Sequence, residues 1–233
     1  MTLGRVLTRR AALAVSAGAL AAMFALSAWA WGEVDDEPIP VHWGASGEVD
    51  GYGGRFEGLL LLPFVTAGVI ALLAVVPYIE PRRAHLARSE RAYATVWLAL
   101  VAWMAALHVV IVASALGGEI EMPVFMGVGP GLLFLTIGAV LGRVESNFMF
   151  GVRTPWTLSS ERSWRQTHRL AGRLFVAAGV ATLLAGLATL AGAPAWVPVV
   201  ALVVGATGAA IWSVAHSYVV WRADPERNRF GGG

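Results

Sequence analysis

Apolar residues gather into six runs separated by polar segments, covering 11–31, 58–78, 92–116, 123–142, 170–191 and 196–221. Each is about twenty residues long, the length an α-helix needs to cross a hydrocarbon core. Within them the only ionisable side chains are His108, His216 and Arg173. Arg173 lies one turn inside the fifth run, where a long side chain can snorkel to the headgroups. Backbone groups in lipid must be bonded within the segment, so the runs are expected to be helices. The pattern predicts an all-α polytopic membrane protein with six transmembrane helices and both termini cytoplasmic.

The arginines supply the orientation. All seventeen basic residues are arginine. Arg5, Arg9 and Arg10 precede the first run, and Arg82, Arg83, Arg88 and Arg91 follow the second. Arg143, Arg153, Arg162, Arg165, Arg169 and Arg173 follow the fourth, and Arg222, Arg227 and Arg229 follow the last. With six helices, sixteen of the seventeen share one side, which the positive-inside rule makes cytoplasmic. Arg55 alone falls on the other side, among Glu33, Asp35, Asp36, Glu37, Glu48, Asp50, Glu57, Glu119 and Glu121. A missed or extra helix would scramble this alternation. The first run has a rival reading, because Ala28-Trp29-Ala30 after a basic start resembles a signal-peptide cleavage site and Arg9-Arg10 hints at a twin-arginine signal. Its length and its tryptophans favour an uncleaved helix.

Composition fits this picture. Of 233 residues, 57% are hydrophobic and 14% charged, against about a quarter charged in soluble domains. With no cysteine, disulfides and thiolate metal sites are excluded. Neither a His-Glu-x-x-His zinc motif, a Gly-x-Ser-x-Gly elbow nor a Walker loop is present. The expectation is a non-enzyme without a cofactor and without direct nucleic-acid binding. His108 and His216 read as residues hydrogen-bonded inside the bundle. The glycines near Pro130 and those of the fifth run suggest a kink and close helix contacts.

Two connections exceed simple turns, roughly 32–57 on the outer side and 143–169 on the inner. The outer one reads Pro38-Ile39-Pro40-Val41-His42-Trp43-Gly44-Ala45-Ser46-Gly47-Glu48-Val49-Asp50-Gly51. Its prolines stiffen an extended entry, Asp50-Gly51 reads as a tight turn, and Gly44 and Gly47 permit positive φ. His42 with Asp50 can centre a recognition surface, pack as a plug, or contribute to a metal site with Glu48. In the inner connection, Thr154 before Pro155 must be extended, and Thr157 or Ser159 can cap a helix that runs on into the fifth span. At roughly 100° per residue, Arg162, Arg165, Arg169 and Arg173 fall within an arc of about 80°, with Trp164, Thr167 and Ala171 opposite. Anionic lipid explains such a stripe at about 1 kcal/mol per arginine; a cytoplasmic protein is the sharper alternative.

The inner motif comprises Asn147, Phe150-Gly151-Val152-Arg153-Thr154-Pro155-Trp156-Thr157-Leu158-Ser159, Trp164 and Thr167-His168-Arg169. It closely resembles the signature of the SdpI family, bacterial membrane proteins named for immunity to a secreted sporulation-delaying peptide. The outer motif, Pro38-x-Pro40-x-His42-Trp43 with Gly47 and Asp50-Gly51, looks like the N-terminal domain of unknown function that many members carry. The resemblance implies a two-helix region over 1–90 and an SdpI-like four-helix region over 91–233. It further implies a bacterial plasma-membrane immunity protein whose outer motif meets a secreted peptide toxin. The inner motif would hold a cytoplasmic repressor. A small transporter or channel, or a membrane scaffold for a cytoplasmic partner, is the alternative.

Overall fold

The computed structural model describes residues 3–35 and 38–227. Asp36, Glu37 and Arg229 lie outside the described residues, as does the side chain of Arg5. In chain order the elements are α1 (Leu3–Glu33), β1 (Ile39–Trp43), β2 (Val49–Gly53) and a π-helical turn (Phe56–Leu60) that opens α2 (Leu61–Ile79). They continue with α3 (Arg83–Arg88), α4 (Glu90–Ala115), α5 (Met122–Leu141), α6 (Pro155–Ser159), α7 (Glu161–Thr189) and α8 (Val197–Arg222). Among the described residues, α1, α2 with its π turn, α4, α5, α7 and α8 are the six helices long and apolar enough to cross a membrane. They coincide with the six apolar runs.

Small residues decide how the helices pack. In lipid there is no hydrophobic drive between helices, so close backbone approach and dispersion must hold them. Helices α5 and α7 make the most extensive contact of the fold, and glycines face each other along it. A Cβ on Gly127 would lie 2.3 Å from the Gly186 Cα, one on Gly131 3.0 Å from the Gly179 carbonyl oxygen, and one on Gly138 2.6 Å from the Gly172 carbonyl oxygen. Helix α8 also packs on α7 and touches α5. On α1, the buried positions Ala12, Ser16, Met23, Ser27 and Ala30 form the stripe of a helix that packs along α4. His108 of α4 is buried against it, with Nε2 3.0 Å from Ser27 Oγ and 3.2 Å from the Met23 carbonyl oxygen. It is a bundle residue, as its isolation predicted.

The connection after α1 departs from the all-α expectation. Its extended segments pair as an antiparallel β1–β2 hairpin. The turn is not at Asp50-Gly51, which lies within β2, but at Gly44–Gly47, where the Gly47 N–H donates to the Gly44 carbonyl (2.9 Å). Gly47 takes φ +83°, and a Cβ there would meet Pro123 Cγ at 2.8 Å, so position 47 supplies the left-handed residue that the turn needs. Ile39 anchors the hairpin in a cluster with Ala30, Val34, Leu59, Ile111 and Val112. Arg55, the one arginine expected on this side, donates to the Val34 carbonyl just beyond α1 (2.9 Å).

Helix α7 begins where the inner connection was expected to become helical, but its cap is Ser160 rather than Thr157 or Ser159. The extended Ser160 accepts from the Ser163 N–H (2.9 Å), while Thr157 is consumed one element earlier, in α6. Arg162, Arg165, Arg169 and Arg173 are exposed along α7, with Trp164, Thr167 and Ala171 buried opposite.

Filling the α5–α7 contact should unfold it. Gly131→Leu is expected to lower stability in detergent by about 1–3 kcal/mol through overpacking. Gly68→Leu, at a position with nothing within 4 Å, should change it little. Thermal unfolding of the purified variants distinguishes them.

Candidate functional site

The arginine-rich end of the bundle carries the inner motif, folded into a compact segment between α5 and α7. Asn147 organises its first half. The Asn147 side chain is buried, its oxygen accepts from the Met149 and Phe150 N–H groups (3.0 and 2.6 Å), and its amide donates to the Glu145 and Phe150 carbonyls (2.9 and 3.0 Å). All four bonds serve the chain's own turn, which is how a buried amide avoids an unsatisfied group. Gly151 then takes φ +112° directly over His168, where a Cβ would come within 2.4 Å of Nε2. That closeness lets the Val152 N–H donate to His168 Nε2 (3.0 Å) while Nδ1 donates to the Trp164 carbonyl (2.8 Å). His168 is therefore the Nδ1–H tautomer. Trp164 stacks on its ring at 4.0 Å and donates to the Val144 carbonyl (2.7 Å).

The second half is held by hydroxyls. Thr154 and Thr157 form a capping box at the start of α6, with Pro155 at the first helical position. Thr157 Oγ1 also donates to the Val152 carbonyl (2.9 Å), and Thr154 Oγ1 lies 3.0 Å from Ser217 Oγ of α8. Ser163 Oγ donates to the Ser217 carbonyl (2.8 Å), and Ser160 Oγ donates to the Asp224 carboxylate. The Ser160 hydroxyl is the chief reason that Asp224, just beyond α8, titrates below the ordinary carboxylate range.

One side chain that the sequence reading passed over ties this segment to the other half of the chain. Glu80, at the end of α2, has 0% exposure, and its carboxylate accepts from the N–H groups of Arg82 (2.8 Å) and Phe148 (3.0 Å). Arg82 lies 4.7 Å over the Phe148 ring and donates to Ser146 Oγ. Arg88 pairs with Glu145 at 2.5 Å, and the Glu145 N–H donates to Ser89 Oγ at 2.8 Å. The usable signal for Glu80 was its isolation, a single acid at a span end ahead of Pro81, Arg82 and Arg83.

At the opposite end the hairpin overhangs a groove of about 540 Å³. His42, Trp43, Gly47 and Asp50 line its roof and rim, and Leu107, Ile111, Met122, Met126 and Val199 of α4, α5 and α8 form an apolar floor. His42 Nδ1 pairs with Asp50 Oδ1, both side chains more than half exposed; an exposed pair of this kind contributes about 0–1 kcal/mol. No group of three His, Asp or Glu side chains able to hold a metal occurs among the described residues. Gly51 sits against His42 across the hairpin, where a Cβ would meet that side chain at 2.8 Å. Pro38 and Pro40 face a separate recess of about 420 Å³ with Glu33, Asp35 and Tyr52.

Comparison with known proteins places both ends. Residues 143–218 match the SdpI/YfhL protein family. Residues 18–67, from α1 through the hairpin into α2, match a domain of unknown function, DUF1648. Immunity protein SdpI of Bacillus subtilis (strain 168) is 24% identical over 146 residues, covering 61% of this chain and 66% of that protein, slightly less than two thirds of its length. No solved structure matches. With six spans and this relationship, the chain is a multi-pass protein of the bacterial plasma membrane.

The SdpI segment distributes its motif unevenly. Asn147, Thr154, Thr157, Trp164, Thr167 and His168 are buried, and Phe150, Gly151 and Trp156 are half-buried, Trp156 against Tyr218 (5.1 Å between rings). Arg153, Pro155 and Arg169 are exposed. The buried set, first read as partner-binding, shapes the segment from within. Of the motif, Arg153, Pro155 and Arg169 reach the surface, with Phe150, Gly151 and Trp156 partly open.

Gly151→Ala should cost about 1–3 kcal/mol, from strained backbone and the clash with His168. Arg153→Ala should stay within about 0.5 kcal/mol as a surface change; unfolding in detergent measures both. Asp224 adds a pH dependence. Its folded pKa lies below the ordinary 3.8, so its stabilisation is complete above about pH 4 and is lost as pH falls through the folded value. Asp224→Asn should therefore be less stable than the parent at pH 6, with the gap closing in acid, as melting temperatures from pH 6 to 3 would record.

Proposed function

We propose that this protein protects its cell from a secreted apolar peptide, which it meets in the groove beneath the hairpin on the outer face. The carrying observation is that groove. Its volume of about 540 Å³ lies in the range of ligand sites, roughly 300–1,000 Å³, and its floor is apolar while polar groups stand at the rim. A membrane-active peptide is apolar along much of its length, and burying its side chains against Leu107, Ile111 and Met126 would stabilise it there by about 25 cal/mol per Å². His42 and Asp50 would meet its backbone or charged ends. The name of the Bacillus subtilis relative, Immunity protein SdpI, supports the reading, as does the DUF1648 match over the hairpin.

The orientation belongs to the same proposal. The arginine-rich end faces the cytoplasm because sixteen arginines would otherwise have to cross. A cytoplasmic regulator, if the peptide is sensed as well as neutralised, would find Arg153, Pro155, Trp156 and the stripe of Arg162, Arg165 and Arg169 on the surface.

Expression in a host sensitive to a secreted membrane-active peptide tests this directly. The parent should raise the peptide dose needed to kill. Met126→Trp, which fills the floor, and Trp43→Ala should each lower protection about tenfold, for roughly 1.4 kcal/mol of lost contact. Leu184→Ala, at an exposed position on α7, should protect like the parent. Absence of protection with the protein confirmed in the membrane, or equal protection by both groove variants, would sink the reading.

A further inference from the structure

Where α1, α2, α3 and α4 meet at the arginine-rich end, two recesses of about 210 and 270 Å³ share Arg9, Pro77, Tyr78 and Glu90. Arg83 lines the first, and Arg10 and Trp97 line the second. Neither belongs to the SdpI segment nor to the groove under the hairpin. Three guanidinium groups therefore gather at one corner of the bundle. Glu90, 3.7 Å from Arg9, offsets one of the charges, so the corner stays cationic.

Deeper in the second recess the chemistry changes. Leu13, Ala74 and Pro77 form apolar walls. Trp97 is 4% exposed, and its indole Nε1–H has no hydrogen-bond partner among the described residues. A buried donor left unmade costs about 1–3 kcal/mol, and such groups ordinarily have a partner. Trp97 lies seven residues beyond Glu90 in α4, roughly 10 Å farther along the helix at 1.5 Å per residue. The recess thus presents cationic donors at the surface and apolar walls below them, with the buried, unpartnered indole of Trp97 among its deeper lining residues. Its flank opens beside Leu13 and Tyr78, 47% and 69% exposed, where bilayer would lie.

We infer that this corner binds an anionic phospholipid, with the headgroup phosphate at Arg9, Arg10 and Arg83, an ester carbonyl accepting from Trp97 Nε1, and an acyl chain leaving past Leu13. Basic pockets between spans recognise anionic headgroups. The apolar walls and the buried indole below the arginines select the ligand class further. Inorganic phosphate can satisfy the arginines but cannot also reach Trp97, whereas a phospholipid carries an anion and, one glycerol away, two ester acceptors. Bound there, it would join α1 to α2 and α4 by contacts to each.

Native mass spectrometry of the full chain, released from detergent after incubation with phosphatidylglycerol, phosphatidylcholine or inorganic phosphate, tests the site. The parent should retain phosphatidylglycerol in preference to phosphatidylcholine. Arg10→Gln with Arg83→Gln should reduce phosphatidylglycerol retention about fivefold per arginine, with phosphatidylcholine little changed. Trp97→Phe keeps the ring and removes the donor, so it should weaken both lipids by about twofold to tenfold. Equal retention of the two lipids by the parent, or parental retention by Trp97→Phe, overturns the assignment. Displacement of phosphatidylglycerol by millimolar inorganic phosphate would show an anion site only and overturns the lipid. If the arginine double variant does not fold, the parent's lipid preference and the phosphate competition still decide.

Discussion

Everything at the arginine-rich end depends on how closely α5 and α7 approach. Side chains at Gly127, Gly131, Gly138, Gly172, Gly179 or Gly186 would stand between backbones that now nearly touch. In lipid such contact is among the few available sources of helix association. The approach has a local consequence. The chain must leave the end of α5 and re-enter at Ser160 beside it, so the intervening residues have no room to wander and fold on top of α7. Trp164 and His168 stand on the face of α7 turned toward that end. They receive the returning chain through Val144 and Val152. The glycine contact and the His168 cradle are therefore two parts of one constraint, the first setting the spacing and the second filling it.

The two ends of the molecule treat polar groups differently. At the arginine-rich end they are turned inward and matched. Asn147 is spent on its own turn, Glu80 on the backbone of residues 82 and 148, and Thr154, Ser160 and Ser163 on α8 and on Asp224 beyond it. Glu80 is decisive, because a buried carboxylate is costly unless it is well paired, and its pairing makes the segment between α5 and α7 depend on the end of α2. At the hairpin end the polar groups stay at a rim, and the helix ends below them are apolar and accessible. A matched interior suits rigidity, whereas an open apolar groove suits an exchangeable ligand.

What could be read from sequence followed from constraints that act on one segment at a time. Hydropathy and arginine alternation located six spans because each span must satisfy lipid by itself, and the stripe on α7 followed from helical angle alone. The hairpin was harder. Its strands are short and carry a proline and two glycines, so no alternating apolar pattern announced them, and two Gly-containing stretches competed for one turn. Geometry at Pro123, some 75 positions away, favours Gly47. The helix cap illustrates the same limit, since Thr157, Ser159 and Ser160 are equally good candidates by composition and the claim of α6 on Thr157 separates them. Glu80 escaped notice because its partners are up to 68 residues distant.

The role of the inner motif changed most. A dense, specific motif on an arginine-rich face invites a contact reading, since anchoring to lipid needs arginines alone. In the folded segment the same specificity has a different physical origin. Asn147, Gly151, Thr157 and His168 each make contacts that few other residue types reproduce: four amide bonds in one turn, a left-handed backbone against a ring, a hydroxyl bridging two backbone groups, and an imidazole that accepts and donates at once. Residues under that much internal constraint are the ones that make a segment recognisable. A surface that meets a partner is constrained only from outside, and it can change as the partner changes. Recognition of the SdpI segment and the location of its binding surface are then separate matters. On the proposed function, the exposed residues around Arg153 and Trp156, and the groove beneath the hairpin, are where substitutions would alter what is bound without disturbing the fold that presents it.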